Sequence, residues 1–298
     1  MKDQYTIKRG AIRTAPVGLA GLAGRILAGA VALLLISGGF SAAWAITGGE
    51  VDQNNAYPNV GAVVLVPPAA WTPGPMALAS GTLIHPRVLL TAGHVTRILE
   101  LVPGTIPLAY VSFDKYALNP ATWNEIEAVY THPNFNLRAD ASAFANDVGL
   151  VILKKSVSGV PVANLPYAGF LNDLKKTGLL REPGDGLVPF RVVGYGWTLD
   201  WPPPVFIPND GWRRFTGSDC VNVLPGWLHL LQNPAAGNGG VSWGDSGGPA
   251  FWIAPDGTRT VVAVTSWSAS QLGTSFHWRV DLPQTLDFIA QVIEGLEP

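Results

Sequence analysis

The chain of 298 residues is 48% hydrophobic and only 13% charged, with a formal net charge of −2. This composition excludes a disordered chain and suffices for one folded unit with a large core. It also argues against nucleic acid as a partner, because past residue 46 no dense Lys/Arg stripe could neutralise a run of phosphates and Arg213-Arg214 is an isolated pair.

Residues 1–45 stand apart from the rest. Lys2, Lys8, Arg9, Arg13 and Arg25 precede an apolar core from Ile26 to Ile36, then Gly38-Gly39 and small residues lead to Ala43-Trp44-Ala45. This three-part layout predicts an export signal cut after Ala45 and a secreted or periplasmic product that meets the membrane only transiently. The alternative is an uncleaved anchor, since the stretch from Ile26 towards Ile46 approaches the ~20 residues that span a bilayer. Removing the segment takes away five of the 19 basic and one of the 21 acidic side chains and leaves a formal charge of −6.

Beyond it, 34 glycines and 25 prolines with short apolar runs between turn signals predict an all-β chain. Six strands are expected first, at Val60 to Val66, Ala77 to Ile84, Val88 to Thr91, Leu108 to Phe113, Glu125 to Thr131 and Val148 to Lys154. Pro67-Pro68 and Trp71 to Pro75 form a surface loop that pairing could not tolerate internally. Ser156 to Leu180 crosses to a second set at Gly186 to Tyr195, Gly211 to Phe215, around Val241, Pro249 to Ile253, Thr260 to Ser266 and Phe276 to Val280. Pro202-Pro203-Pro204 and Ile207 to Gly211 mark another extended loop. From Leu282, the helical spacing of Leu286, Ile289 and Ile293 with Pro283 early predicts a terminal helix over 282–296.

Three separated motifs carry chemistry. Gly244-Asp245-Ser246-Gly247-Gly248-Pro249 sets a serine between glycines that let backbone N–H groups converge on an oxyanion. A serine hydroxyl needs a histidine base and a carboxylate to orient that base. His94, in Thr91-Ala92-Gly93-His94, and Asp147, opening Asp147-Val148-Gly149-Leu150, are the candidates, in the order His, Asp, Ser.

These motifs together resemble the chymotrypsin/trypsin family of serine peptidases, in a bacterial exported form lacking disulfides. Ser266-Trp267-Ser268, Ile46-Thr47-Gly48-Gly49, Tyr57-Pro58, Thr131-His132-Pro133 and Val193 to Trp197 echo further family segments, so the likeness spans roughly residues 46–298. The resemblance implies two six-stranded antiparallel β-barrels, about 46–165 and 180–280, with a C-terminal helix. It implies a serine endopeptidase acting through His94, Asp147 and Ser246, with an oxyanion hole from the N–H groups of Gly244 and Ser246. Ser266 would bond the buried aspartate, and Ile46, freed by leader removal, would pair its ammonium with Asp245. The residue six before the nucleophile, Gly240, would form the base of the primary pocket. Its lack of an aspartate disfavours Lys or Arg, and with Val241, Ser268 and Ser275 lining the pocket and Trp243 at its mouth a neutral substrate side chain is expected. The backbone about Ser266, Trp267 and Ser268 would pair with a peptide or protein substrate.

Gly244-x-Ser246-x-Gly248 also satisfies the nucleophile-elbow pattern of α/β-hydrolases, with Asp256 and His277 following, but Gly237 to Gly240 before it and Pro249 after it leave no place for the strand and helix that an elbow needs. Two other functions share the fold and the residues: an exported binding protein that no longer hydrolyses, and an esterase. Cys220, the sole cysteine, allows no intramolecular disulfide. Where family members often pair cysteines this chain has Val95 and Ala79, and Ser242 stands at a third such position. Cys220 itself reads as a buried apolar residue. His85, His132, His229 and His277 read as structural, with no HExxH or paired Cys/His spacing for zinc, and no cofactor is expected. The 11 tryptophans are scattered and read as packing.

Overall fold

The computed structural model describes residues 49–67, 74–101, 106–136, 144–180, 189–200, 205–207, 210–233, 236–269 and 273–296. The expected export signal and Ile46 lie outside them.

The first six expected strands form as β2 (Val60–Leu65), β3 (Met76–His85), β4 (Val88–Thr91), β5 (Ala109–Ser112), β6 (Trp123–Thr131) and β7 (Gly149–Leu153), after a short β1 (Glu50–Val51). They close into an antiparallel barrel of order β2-β3-β4-β7-β6-β5, with β2 pairing β5 to complete it. Strands β4 and β7 are buried along their whole length. Leu89 and Val151 fill the barrel interior with Leu83 and Val111, while Leu90, Leu150 and Ile152 face outward into a second core shared with Val193, Phe251 and Val264. Continuous apolar runs, rather than alternating ones, follow from burial on both faces.

A helix absent from the sequence expectations, α1 (Gly93–Leu101), begins one residue before His94 and inserts Val95 and Leu99 into the barrel core. Ala79 and Val95, which stand where a disulfide was expected to be missing, both pack in that core. The segment expected only to cross over contains α2 (Phe170–Thr177), bounded by Gly169 and Gly178 with φ of 83° and 79°. The terminal helix, α3, runs Pro283–Glu294 and buries Ile289 and Val292.

The second strand set differs from expectation. Strands β8 (Phe190–Gly194), β11 (Arg214–Ser218), β12 (Cys220–Val223), β13 (Trp227–Leu231), β14 (Pro249–Ile253), β15 (Arg259–Ala269) and β16 (Thr274–Arg279) join β1 in an eight-stranded antiparallel sheet, β1-β11-β8-β14-β15-β16-β13-β12. Thr198–Asp200 and Val205–Ile207 pair separately as β9 and β10. The expected second six-stranded barrel is therefore an open, curled sheet. Asp219 alone separates β11 from β12, yet these stand second and eighth in the order, so the sheet bends round to bring them together. No ladder joins them. Instead Leu231 N donates to Asp219 O (2.8 Å) and Gly239 N to Gly217 O (3.0 Å) at this corner. Strands β12 and β13 were not foreseen, and the strand expected around Val241 is irregular chain. Cys220 is buried beside Leu228, Leu230 and Val262 in this sheet's core.

Candidate active site

His94 is fixed through α1. Thr96 Oγ1, two residues on, lies 3.1 Å from Gly93 O and shares a hydrogen bond with Thr131 Oγ1 (2.8 Å) on β6, while Glu100 Oε1 accepts from the Thr131 hydroxyl (2.9 Å). Gly149 on β7 permits this seating, because a Cβ there would lie 2.2 Å from Thr96 Oγ1. The imidazole is half-buried, with the Phe144 ring edge-on at 5.7 Å.

Asp147, fully buried just before β7, grips the histidine twice. Its Oδ1 accepts from His94 N and its Oδ2 meets His94 Nδ1, each at 2.8 Å. Ser266 Oγ on β15 also donates to Oδ2. A carboxylate can only accept, so Nδ1 carries a proton, and in the neutral ring Nε2 is the nitrogen with the free lone pair. Barrel and sheet thus meet at one aspartate.

The Ser246 turn is pinned to both halves by a residue that the motifs did not reveal, Ser80 on β3. Ser80 N donates to Ser246 O (2.9 Å), Ser80 Oγ to Gly244 O (2.8 Å), and Ser80 O accepts from Thr91 Oγ1 (2.7 Å), three residues before His94. From the sheet side Gly247 N donates to Thr265 O (2.8 Å). Gly247, at φ 79°, has no room for a side chain: a Cβ would stand 2.0 Å from Thr91 Oγ1 and 2.6 Å from Ala92 N. These contacts bring the turn against the end of β4 where His94 begins, although the Ser246 hydroxyl makes no hydrogen bond to the imidazole in this structure. Such bonds commonly tighten only when substrate binds. Gly244 takes φ 89°, and neither its N–H nor that of Ser246 donates to a described protein acceptor, whereas Asp245, Gly247 and Gly248 N–H groups all do.

Asp245 points away from the nucleophile into the sheet. Its Oδ1 accepts from Gly196 N and its Oδ2 from Ser242 N, both at 2.8 Å. Glycines at 194 and 196 make the cradle, since a Cβ on either would overlap the carboxylate at 2.2 to 2.4 Å. Burial pushes this carboxyl up to about 7, against the pull of the two backbone donors. The expected partner of Asp245, the Ile46 amine, lies outside the described residues.

The residues expected to bind substrate divide. Gly240 and Val241 are buried, and Trp243, with its carbonyl accepting from Trp197 N (2.8 Å), is 40% exposed beside the turn. Ser268 on β15 pairs with Ser275 on β16. Ser275 is buried with its hydroxyl on His277 Nε2 (3.0 Å), whose Nδ1 meets Thr265 Oγ1 (3.2 Å); burial holds that imidazole down at about 3 and therefore neutral. Trp267 is 38% exposed and belongs to an aromatic stack, 4.1 Å from Phe276, which lies 4.4 Å from His229. These aromatics are clustered by strand pairing, not scattered as their sequence positions implied. Gln232, also unforeseen, lies directly beneath Gly240.

Among the described residues no group of three or more His, Cys, Asp or Glu side chains is placed to hold a metal. Compared with known family models and with curated proteins, the chain matches none.

Proposed function

We propose that the protein is a serine endopeptidase that cleaves peptide bonds through an acyl-enzyme, on a chymotrypsin-like arrangement of which the closed barrel and the curled sheet are the two halves. One observation carries this reading. Asp147 binds His94 Nδ1, so that Nε2 is the ring nitrogen free to accept a proton, and the turn bearing Ser246 is seated against the end of β4 with the Gly244 and Ser246 N–H groups unpaired among the described residues.

In the proposed cycle His94 Nε2 takes the Ser246 proton as Oγ bonds to the substrate carbonyl carbon. The oxyanion so formed accepts from Gly244 N–H and Ser246 N–H, worth on the order of 3 kcal/mol per donor in comparable sites. Asp147 stabilises the imidazolium, which passes its proton to the amine as the C–N bond breaks. Water, deprotonated by the same nitrogen, then hydrolyses the ester and returns the proton to Ser246.

Export and activation form part of the proposal. Signal cleavage after Ala45 would free the Ile46 amine, and an ammonium beside Asp245 would hold ionised a carboxylate that its burial otherwise disfavours. The Gly240 position, lacking an acid, supports a neutral substrate side chain. Digestion of an unfolded protein by wild type, with Ser246→Ala and His94→Ala as controls and amide and ester substrates in parallel, tests the reading. Amide cleavage lost in both variants is expected; wild type inert on amides overturns it, and ester-only turnover assigns an esterase.

A further inference from the structure

Gln232 is a costly residue for its position. It continues β13 by one step, with its N–H donating to Gly273 O (2.6 Å), so strand alternation puts it on the inward face with Leu228 and Leu230. That face is apolar core, yet Gln232 is only 4% exposed. Its side chain occupies the space that a side chain at 240 would take: a Cβ on Gly240 would lie 1.7 Å from Gln232 Cγ and 1.9 Å from Cδ. At Gly240, which the proposed function makes the base of the primary pocket, the chain has omitted one side chain and supplied a carboxamide from the end of a neighbouring strand.

The carboxamide has one orientation. Nε2 donates to Val241 O (3.0 Å), and a carbonyl cannot donate in return, so the nitrogen must face Val241. Oε1 then faces the other way, buried and with no hydrogen-bond partner among the described residues. Buried acceptors are rarely left unpaired, because the desolvation cost is not recovered. A ligand that brings a donor to Oε1 recovers it.

We propose that Gln232 is the specificity-determining residue of this site and selects a neutral substrate side chain ending in a hydrogen-bond donor, a carboxamide or a hydroxyl. The inference rests on the peptidase reading and deepens it. An apolar side chain of equal size fills the space but leaves Oε1 unpaired. A carboxylate sets oxygen against oxygen. An ammonium or guanidinium loses its hydration to gain one neutral acceptor, which does not compensate a buried charge.

The test uses peptide amides that differ only at the residue before the scissile bond, in near-isosteric pairs: tyrosine against phenylalanine, and glutamine against methionine. Wild type is expected to favour the donor-bearing member of at least one pair by about tenfold or more in kcat/KM. Gln232→Met, which keeps the volume and removes the acceptor, is expected to bring that ratio close to one; Gln232→Leu replaces it where the first variant does not accumulate. Ratios near one in wild type, as when a bound water already satisfies Oε1, overturn the inference, as does a ratio unchanged in the variants. Absence of Ser246-dependent cleavage of every peptide instead overturns the peptidase reading on which the inference stands.

Discussion

The buried carboxylate of Asp245 makes the stability of the fold depend on pH. In a chain extended before Ile46, no new amine exists to pair with it. Its carboxyl, ordinarily at 3.8, is pushed up to about 7 by burial, so the folded state binds its proton more tightly than the unfolded state does. For a raised acid the stabilising contribution is present below the unfolded value and is lost as pH rises through the folded one. Ionising it within the fold therefore costs about 4 kcal/mol, accumulated between pH 4 and 7. Asp245→Asn removes the titration. It adds a pH-independent penalty, because an amide nitrogen must face either Gly196 N–H or Ser242 N–H. Urea unfolding of both proteins from pH 4 to 8 should show the stability of the extended parent falling relative to the variant by about 4 kcal/mol, with the change complete just above pH 7. Buried histidines such as His277 act in the opposite sense but equally in both proteins, so the difference isolates Asp245. In a chain beginning at Ile46 the same difference should flatten, since the ammonium holds the carboxylate ionised. Parallel curves for parent and variant in the extended chain would show that Asp245 ionises in the fold as it does in the unfolded chain.

Three substitutions probe the surrounding scaffold. Gly247→Ala forces a Cβ against Thr91 Oγ1 and Ala92 N at φ 79°, a strain of about 1–2 kcal/mol before the clash, and should lower kcat/KM about 100-fold or more by displacing Ser246 from His94, as steady-state kinetics would record. Ser266→Ala removes a hydrogen bond to the Asp147 carboxylate and should lower kcat about tenfold with little change in KM. Arg213→Met leaves Asp52 buried without its ion pair, and also deprives Val60 O, Phe113 O and the Tyr195 hydroxyl of a donor. Urea midpoints should report a loss of about 3–5 kcal/mol.

Much of the fold was legible because the first six strands are short stretches rich in apolar and β-branched residues bounded by turn signals, and each formed within two residues of its expected ends. The closure of the second half was not. It depends on whether β11 and β12 form a ladder across a corner, a non-local pairing that no sequence run encodes. Strand β13 was hidden because Trp227–Leu231 is a five-residue apolar run with His229 at its centre, which periodicity alone does not tell from a buried helical segment. Helix α1 carried a weak signal, the i,i+4 spacing of Val95 and Leu99, overshadowed by the glycine before His94. At the site, His94, Asp147 and Ser246 announced themselves through small-residue motifs that only close backbone approach requires, and the structure brings their segments together. Ser80 and Gln232 did not, since each works through contacts with residues far along the chain or on another strand: Ser80 with Gly244 and Thr91, Gln232 with Gly240. A serine in a strand and a glutamine after one carry no motif.

On the proposed mechanism the Ser246 hydroxyl is a nucleophile activated by His94 and Asp147. Intact-mass analysis after exposure to a peptidyl phosphonate, with peptide mapping of the adduct, reads this activation out. One phosphonyl group per chain on Ser246 is expected, absent from Ser246→Ala and formed on the order of 10⁴-fold more slowly in Asp147→Asn, where the imidazole tautomer is no longer held. An unmodified wild-type chain, an adduct on another residue, or a labelling rate indifferent to Asp147 would contradict the account.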